Sequence, residues 1–183
     1  MVAKKYIPHY TVSDWEQWEG DWELADGIPV SMSPSPNPEH QLINGNIITL
    51  FNVALKECIK CRVLVECDWE ISKDNVTRPD IMIICDISGK WDKKRNLITP
   101  VLIVEILSIS TKNKDMGYKK ELYGTTGVKY YIIADPQEKL LLIYFNDNGI
   151  LNEVYQGKGD LFNFDLGPCN ASVYMLEVWT KLD

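Results

Sequence analysis

Glu105 interrupts an otherwise apolar run made of Val101, Leu102, Ile103, Val104, Ile106 and Leu107. A lone carboxylate in such a place costs several kcal/mol unless it is paired, protonated or bound to a cation. Asp80 opens the apolar run before it, directly after Pro79. A polar loop over 86–99 separates the two runs and lets them pair as neighbouring strands. Two carboxylates on one face of such a pair come within about 4.5–8 Å, depending on register. Like charges that close raise each other's pKa unless a cation bridges them. A hard divalent ion accepts two carboxylates together with water and phosphate oxygens. Asp80 and Glu105 are therefore candidate ligands for Mg²⁺, with Mn²⁺ as a possible substitute. Asp115, Lys119 and Tyr123 recur at intervals of four, which places them on one helix face. If that face turns over the sheet, Lys119 becomes the pair's fixed counter-charge. It could then orient or deprotonate a water, or stabilise charge developing on a phosphate. The alternative is an exposed intrahelical Asp–Lys pair worth a few tenths of a kcal/mol.

The elements that would hold these residues follow from periodicity. Ser13 is placed to cap a short helix carrying Trp15 and Trp18. Asp26-Gly27 between two short apolar–polar stretches predicts a hairpin. Asn37, Pro38 and Glu39 start a helix whose stripe is Ile43, Ile47, Leu50, Phe51, Ala54 and Cys58. Over 63–71 the period becomes two and predicts one strand, with Val63, Val65, Cys67, Trp69 and Ile71 on one face. Further strands are expected from Asp80, over 101–107, and as a pair at "VKYYIIAD" and "KLLLIYF". A helix is expected over 114–126, stopped by Gly127. The tail from Asn152 is weakly patterned and predicts a short strand or two, with Trp179 as a terminal plug. The class is α/β in the broad sense: a mixed α+β sheet flanked by helices, with an N-terminal hairpin, in one domain over 1–183.

A net charge of −7 argues against a general nucleic-acid-binding surface. The basic charge is nevertheless concentrated: residues 90–120 hold eight Lys and Arg against three acidic side chains, around Glu105 itself. Lys90, Lys93, Lys94 and Arg95 form the densest part and are the candidate phosphate-backbone contacts. Five cysteines, an odd number in a chain of this size, favour reduced thiols. The Cys58-x-x-Cys61 pair has no second pair or spaced histidine after it, so it reads as packing residues ahead of zinc or redox chemistry. No apolar leader or membrane-length segment is evident, so a soluble, cytoplasmic protein is expected. Gly-x-Ser-x-Gly, Walker and dinucleotide glycine patterns are absent, and no organic cofactor is expected.

"RPDIMIIC", "PVLIVEILSIST" and "DMGYKKELYGTTGVKYYIIADP", in that order, resemble the bacterial Uma-type family of predicted restriction endonucleases, within the PD-(D/E)XK nuclease superfamily. "DWELADGIPVSMSPSPNPEHQ" is similar to the family's Glu-Leu-x-x-Gly hairpin and its Pro-rich approach to a His-bearing helix, so the resemblance covers about residues 20 to 140. It implies a restriction-endonuclease-like core and Mg²⁺-dependent cleavage of DNA. Asp80 and Glu105 match the metal-holding acids, and Lys119 matches the family's helix lysine. Glu23 matches the N-terminal glutamate, a further metal or water ligand, and His40 matches the helix histidine. Alternation alone would put Glu23 on the solvent face of its strand. Leu107 stands where the superfamily pattern has lysine, so Lys119 must act from the helix. Tyr130, Tyr131 and Ile132 stand where the family usually has Glu-Tyr-Trp, which removes a carboxylate.

The expectation is a metal-dependent endonuclease acting on DNA as a homodimer. Two rivals come from other classes: a catalytically inactive binding or assembly protein on the nuclease fold, and a metal-dependent hydrolase of a small phosphorylated substrate.

Overall fold

The computed structural model describes residues 8–32, 36–86, 94–108 and 111–182. Lys90, Lys93 and Ser110 lie outside them.

Three consecutive strands of mostly apolar sequence form the centre: β6 (Ile81–Cys85), β7 (Leu102–Ile106) and β8 (Tyr130–Asp135). Runs with so little apolar–polar alternation belong to strands covered on both faces. The sheet extends through β9 (Leu140–Asp147) and β10 (Ile150–Gly157) on one side and β3 (Cys61–Val65) on the other, in the order β10-β9-β8-β7-β6-β3. Only β7 and β8 run parallel, so the sheet is mixed.

One face is covered by α2 (Pro38–Ala54), whose Ile43, Ile47 and Phe51 are fully buried against Ile83, Val104 and Ile132. Each such side chain contributes about 1.5–3 kcal/mol by leaving water. The hairpin β11 (Leu161–Asp165) and β12 (Asn170–Tyr174) completes that face, followed by a 3₁₀ turn, Met175–Trp179. Trp179 donates its indole N–H to the Lys158 carbonyl at 2.6 Å and closes the core. The other face packs Met82, Ile103, Tyr131 and Ile133 against Trp69, Tyr123 and Leu151.

A second sheet, β2-β1-β5-β4, joins β1 (Trp22–Ala25), β2 (Ile28–Ser31), β4 (Trp69–Ser72) and β5 (Asn75–Thr77). The single strand expected over 63–71 is thus two strands in two sheets. Glu66 sits in the left-handed region at φ 45° and turns the chain between them, its N–H donating to the Asp80 carbonyl at 3.1 Å. Helix α1 (Val12–Trp15) is capped by Thr11, which exchanges bonds with Asp14, two residues earlier than the expected cap Ser13. The helix expected over 114–126 is compound: α3 (Lys112–Lys114), a π-helical turn over Asp115–Lys119, and α4 (Lys120–Thr125). The tail holds three strands where one or two were expected.

Two disulfides join Cys58 to Cys169 and Cys61 to Cys85, where reduced thiols were expected, and Cys67 is free. Among the described residues no helix is long and apolar enough to cross a membrane.

Candidate active site

The two sheets share the segment that carries the acids. Strand β5 pairs with β1 at Leu24 and Val76, then leads through Arg78 and Pro79 to Asp80 at the mouth of β6. Strands β6 and β7 pair with Ile81 opposite Val104, so the register continues to Asp80 opposite Glu105. Alternation puts Asp80 with Met82 and Glu105 with Ile103, on one face of the sheet. The π turn packs on that face, Tyr131 donating its hydroxyl to the Asp115 carbonyl at 3.0 Å.

Lys119 is the hub. It is 4% exposed, and its Nζ lies 2.8 Å from Glu105 Oε1, 3.2 Å from Glu23 Oε1 and 3.8 Å from Asp115 Oδ1. Burial disfavours the ammonium, yet Glu105, Glu23 and Asp115 together hold its pKa well above the ordinary amine range. The exposed Asp–Lys pair allowed by the sequence is therefore a buried cluster. Tyr123 donates to the same Glu105 Oε1 at 2.8 Å and lies 3.0 Å from Thr77 Oγ1.

Glu23 and Glu105 differ in kind. Burial acts against the Glu23 carboxylate, but Lys119, Lys114 at 2.7 Å and the Arg78 N–H at 3.0 Å bring its pKa down to about 2. At Glu105 burial dominates, and the charges of Asp115 and Asp80 add to it, so its pKa rises to about 8 despite Lys119. Burial also raises Asp115, whose Oδ1 is enclosed with no hydrogen-bond partner among the described residues.

Asp80 Oδ2 accepts the Ile106 N–H at 2.7 Å and lies 3.3 Å from His40 Nε2. Helix α2 aims His40 there because Asn37 caps its first turn, accepting the His40 N–H at 2.8 Å. Burial works against the imidazolium, but the hydrogen bond and charge of Asp80 raise its pKa above the ordinary value.

The structure thus gathers Asp80, Glu105, Lys119, Glu23 and His40 at one end of the central sheet. Glu23 corrects the solvent-face reading: it is 4% exposed, because Lys114 and Lys119 arrive from the helix to receive it. A cleft of about 480 Å³ opens onto Glu23, Thr77, Lys114 and Lys119. Lys114 and Thr77 were not singled out, and only the dense basic charge around Glu105 pointed toward Lys114. Arg95 pairs with Glu16 and Glu70 on the far side of the second sheet. Lys94 and Arg95 line a separate pocket with Trp15, Trp18, Trp22 and Arg78.

The low Glu23 pKa has a consequence for stability. A carboxyl at about 2 when folded and about 4.5 when unfolded stabilises the fold above the unfolded value, by about 3 kcal/mol in full. That contribution is lost as pH falls from about 4.5 through 2. Glu23→Gln should therefore lower stability by about 3 kcal/mol at pH 7, and urea melts of the two proteins should converge toward pH 2.

A crystal structure titled as a "putative nuclease belonging to DUF820" from Anabaena variabilis superposes with a TM-score of 0.73 over 92% of this chain and 98% of that one. At 18% identity it shows a shared fold. The uncharacterised Synechocystis sp. protein slr1290 is 28% identical over 160 residues, covering 78% of each chain. The family model Uma2, described as "Putative restriction endonuclease", matches residues 10–166, which contain both sheets' acidic residues and the helix lysine. The chain belongs to the Uma2 family.

Proposed function

We propose that the protein is a Mg²⁺-dependent nuclease that hydrolyses DNA phosphodiester bonds, acting as a homodimer to reach both strands. One observation carries this reading. Asp80 and Glu105 face the same way from adjacent strands, and each uses one oxygen inside the protein, Oδ2 and Oε1. Among the described residues no hydrogen bond engages Asp80 Oδ1 or Glu105 Oε2, which leaves both for a cation. The surroundings suit one, since Glu23, Asp115, Asp80 and Glu105 outnumber the lysines they meet, and Asp115 Oδ1 has no hydrogen-bond donor among the described residues. When bound, Mg²⁺ would polarise the phosphoryl oxygen and lower the pKa of its water.

The chain's own groups divide the remaining work. Lys119, whose proton is held by three carboxylates, serves as a fixed positive charge that orients water and phosphate rather than as a base. Glu23 locks Lys119 and Lys114 in place, and Lys114 at the cleft can meet a phosphate oxygen. Lys90, Lys93, Lys94 and Arg95 are the proposed outer contacts to the DNA backbone. His40 fixes the orientation of Asp80.

Supercoiled plasmid should be nicked with Mg²⁺ or Mn²⁺ and spared with chelator. Binding that weakens steeply with salt would separate DNA from a small phosphorylated substrate. Loss of a group that orients a ligand weakens metal binding about 10–100-fold, so His40→Ala should raise the Mg²⁺ needed for half-maximal nicking by that factor, with recovery at saturating Mg²⁺. A preparation that binds Mg²⁺ yet never cleaves DNA would point to the inactive binding protein instead.

A further inference from the structure

A second cluster of side chains lies away from these acids. Cys58 follows α2, Cys61 begins β3, Cys85 ends β6, and Cys169 precedes β12. Strand β6 thus carries Asp80 at its entrance and Cys85 at its other end, so the cysteines occupy the opposite edge of the core. The sulfurs of Cys58, Cys61 and Cys169 all lie within 4.8 Å of one another, and Cys85 is bonded to Cys61 directly across the β3–β6 ladder. Two unrelated cross-links have no need to bring three of their four sulfurs together, with the fourth, Cys85, one bond from Cys61. A tetrahedral ion does need this, because Zn–S bonds of about 2.3 Å set the sulfurs about 3.8 Å apart.

We propose that Cys58, Cys61, Cys85 and Cys169, when reduced, bind one zinc ion. The Cys-x-x-Cys turn between α2 and β3 supplies a chelating pair, and the other two sulfurs come from separate segments. Two molecules of a dithiol reductant open the two disulfides, each becoming a disulfide itself and passing two electrons and two protons to the protein. Zinc then takes the place of up to four thiol protons. Bound there, the ion ties the end of α2 and the central sheet to the β11–β12 hairpin, whose Phe164 packs on Phe51 at 5.6 Å between ring centroids. Cys67, on the other face of the sheet, takes no part.

Protein prepared with reductant and without chelator should carry one zinc per chain by elemental analysis. Cobalt replacing it should give the charge-transfer and visible bands of a tetrahedral tetrathiolate. Cys58→Ser and Cys169→Ser should each weaken zinc binding by at least about tenfold, since losing a ligand must exceed losing an orienting neighbour. Cys67→Ser should change nothing. If the serine variants fail to fold, the cobalt spectrum of the unaltered chain decides alone. A reduced, folded chain that binds neither metal, or binds cobalt without thiolate bands, overturns the proposal. Zinc binding undiminished in folded Cys58→Ser would do the same.

Discussion

Asp80→Asn and Glu105→Gln should each abolish Mg²⁺-dependent nicking while leaving a folded chain. A metal that stabilises transition-state charge is worth several kcal/mol, and each 1.4 kcal/mol is a factor of ten, so the loss should reach about 10³-fold or more. Both replacements keep the internal bonds. Asparagine retains an acceptor for the Ile106 N–H, and glutamine retains one for Lys119 and Tyr123. Burial raises the Glu105 pKa, so the neutral amide of glutamine avoids a desolvation cost that the carboxylate bears. Melting curves close to those of the unaltered chain, together with lost calorimetric Mg²⁺ binding and lost cleavage, would fit the assignment. Cleavage by both variants in Mg²⁺ would remove Asp80 and Glu105 as the metal ligands.

Why these two acids stood out, while Glu23 did not, follows from what each pattern records. Glu105 breaks an apolar run, and the break is visible because strands β6, β7 and β8 carry their burial in composition alone. Glu23 breaks nothing: it sits in a four-residue strand between Trp22 and Leu24, where alternation assigns it to solvent. Its burial depends on Lys114, a residue 91 positions later, and no local period encodes such a partner. The corner at Glu66 was hidden for a related reason. Alternation runs on through 63–71, while the turn needs only one residue at positive φ, which leaves no mark on the hydrophobic pattern. The π turn is subtler. A spacing of four predicts that Asp115, Lys119 and Tyr123 share a face, and all three are buried. The wider turn that seats them against Tyr131 depends on packing and was not in the pattern. The tail was underread because β10 and β11 keep one face in solvent, and their apolar residues Ile150, Val154 and Leu161 are exposed.

Replacing Lys119 by methionine should be the most damaging change to the chain's stability. Removing one partner of a buried ion pair costs about 3–5 kcal/mol, because the other charge stays behind uncompensated. Here Glu23 is the group left behind. Its carboxylate is held low in the intact chain chiefly by Lys119, and without that ammonium only Lys114 and the Arg78 N–H remain to meet it. Adding Glu23→Gln removes that stranded charge, so the double variant should recover much of the lost stability in urea melts, as coupled partners do in a double-mutant cycle. The same pair of variants separates structure from chemistry. If Lys119 only holds the acids in place, recovery of stability should bring recovery of plasmid nicking. If its charge orients water and phosphate, the refolded double variant should bind Mg²⁺ and still fail to cut by about 10²-fold or more, the loss typical of removing one fixed donor of charge stabilisation. A double variant that regains both stability and full cleavage would restrict Lys119 to the fold and leave Lys114 as the cation facing the phosphate.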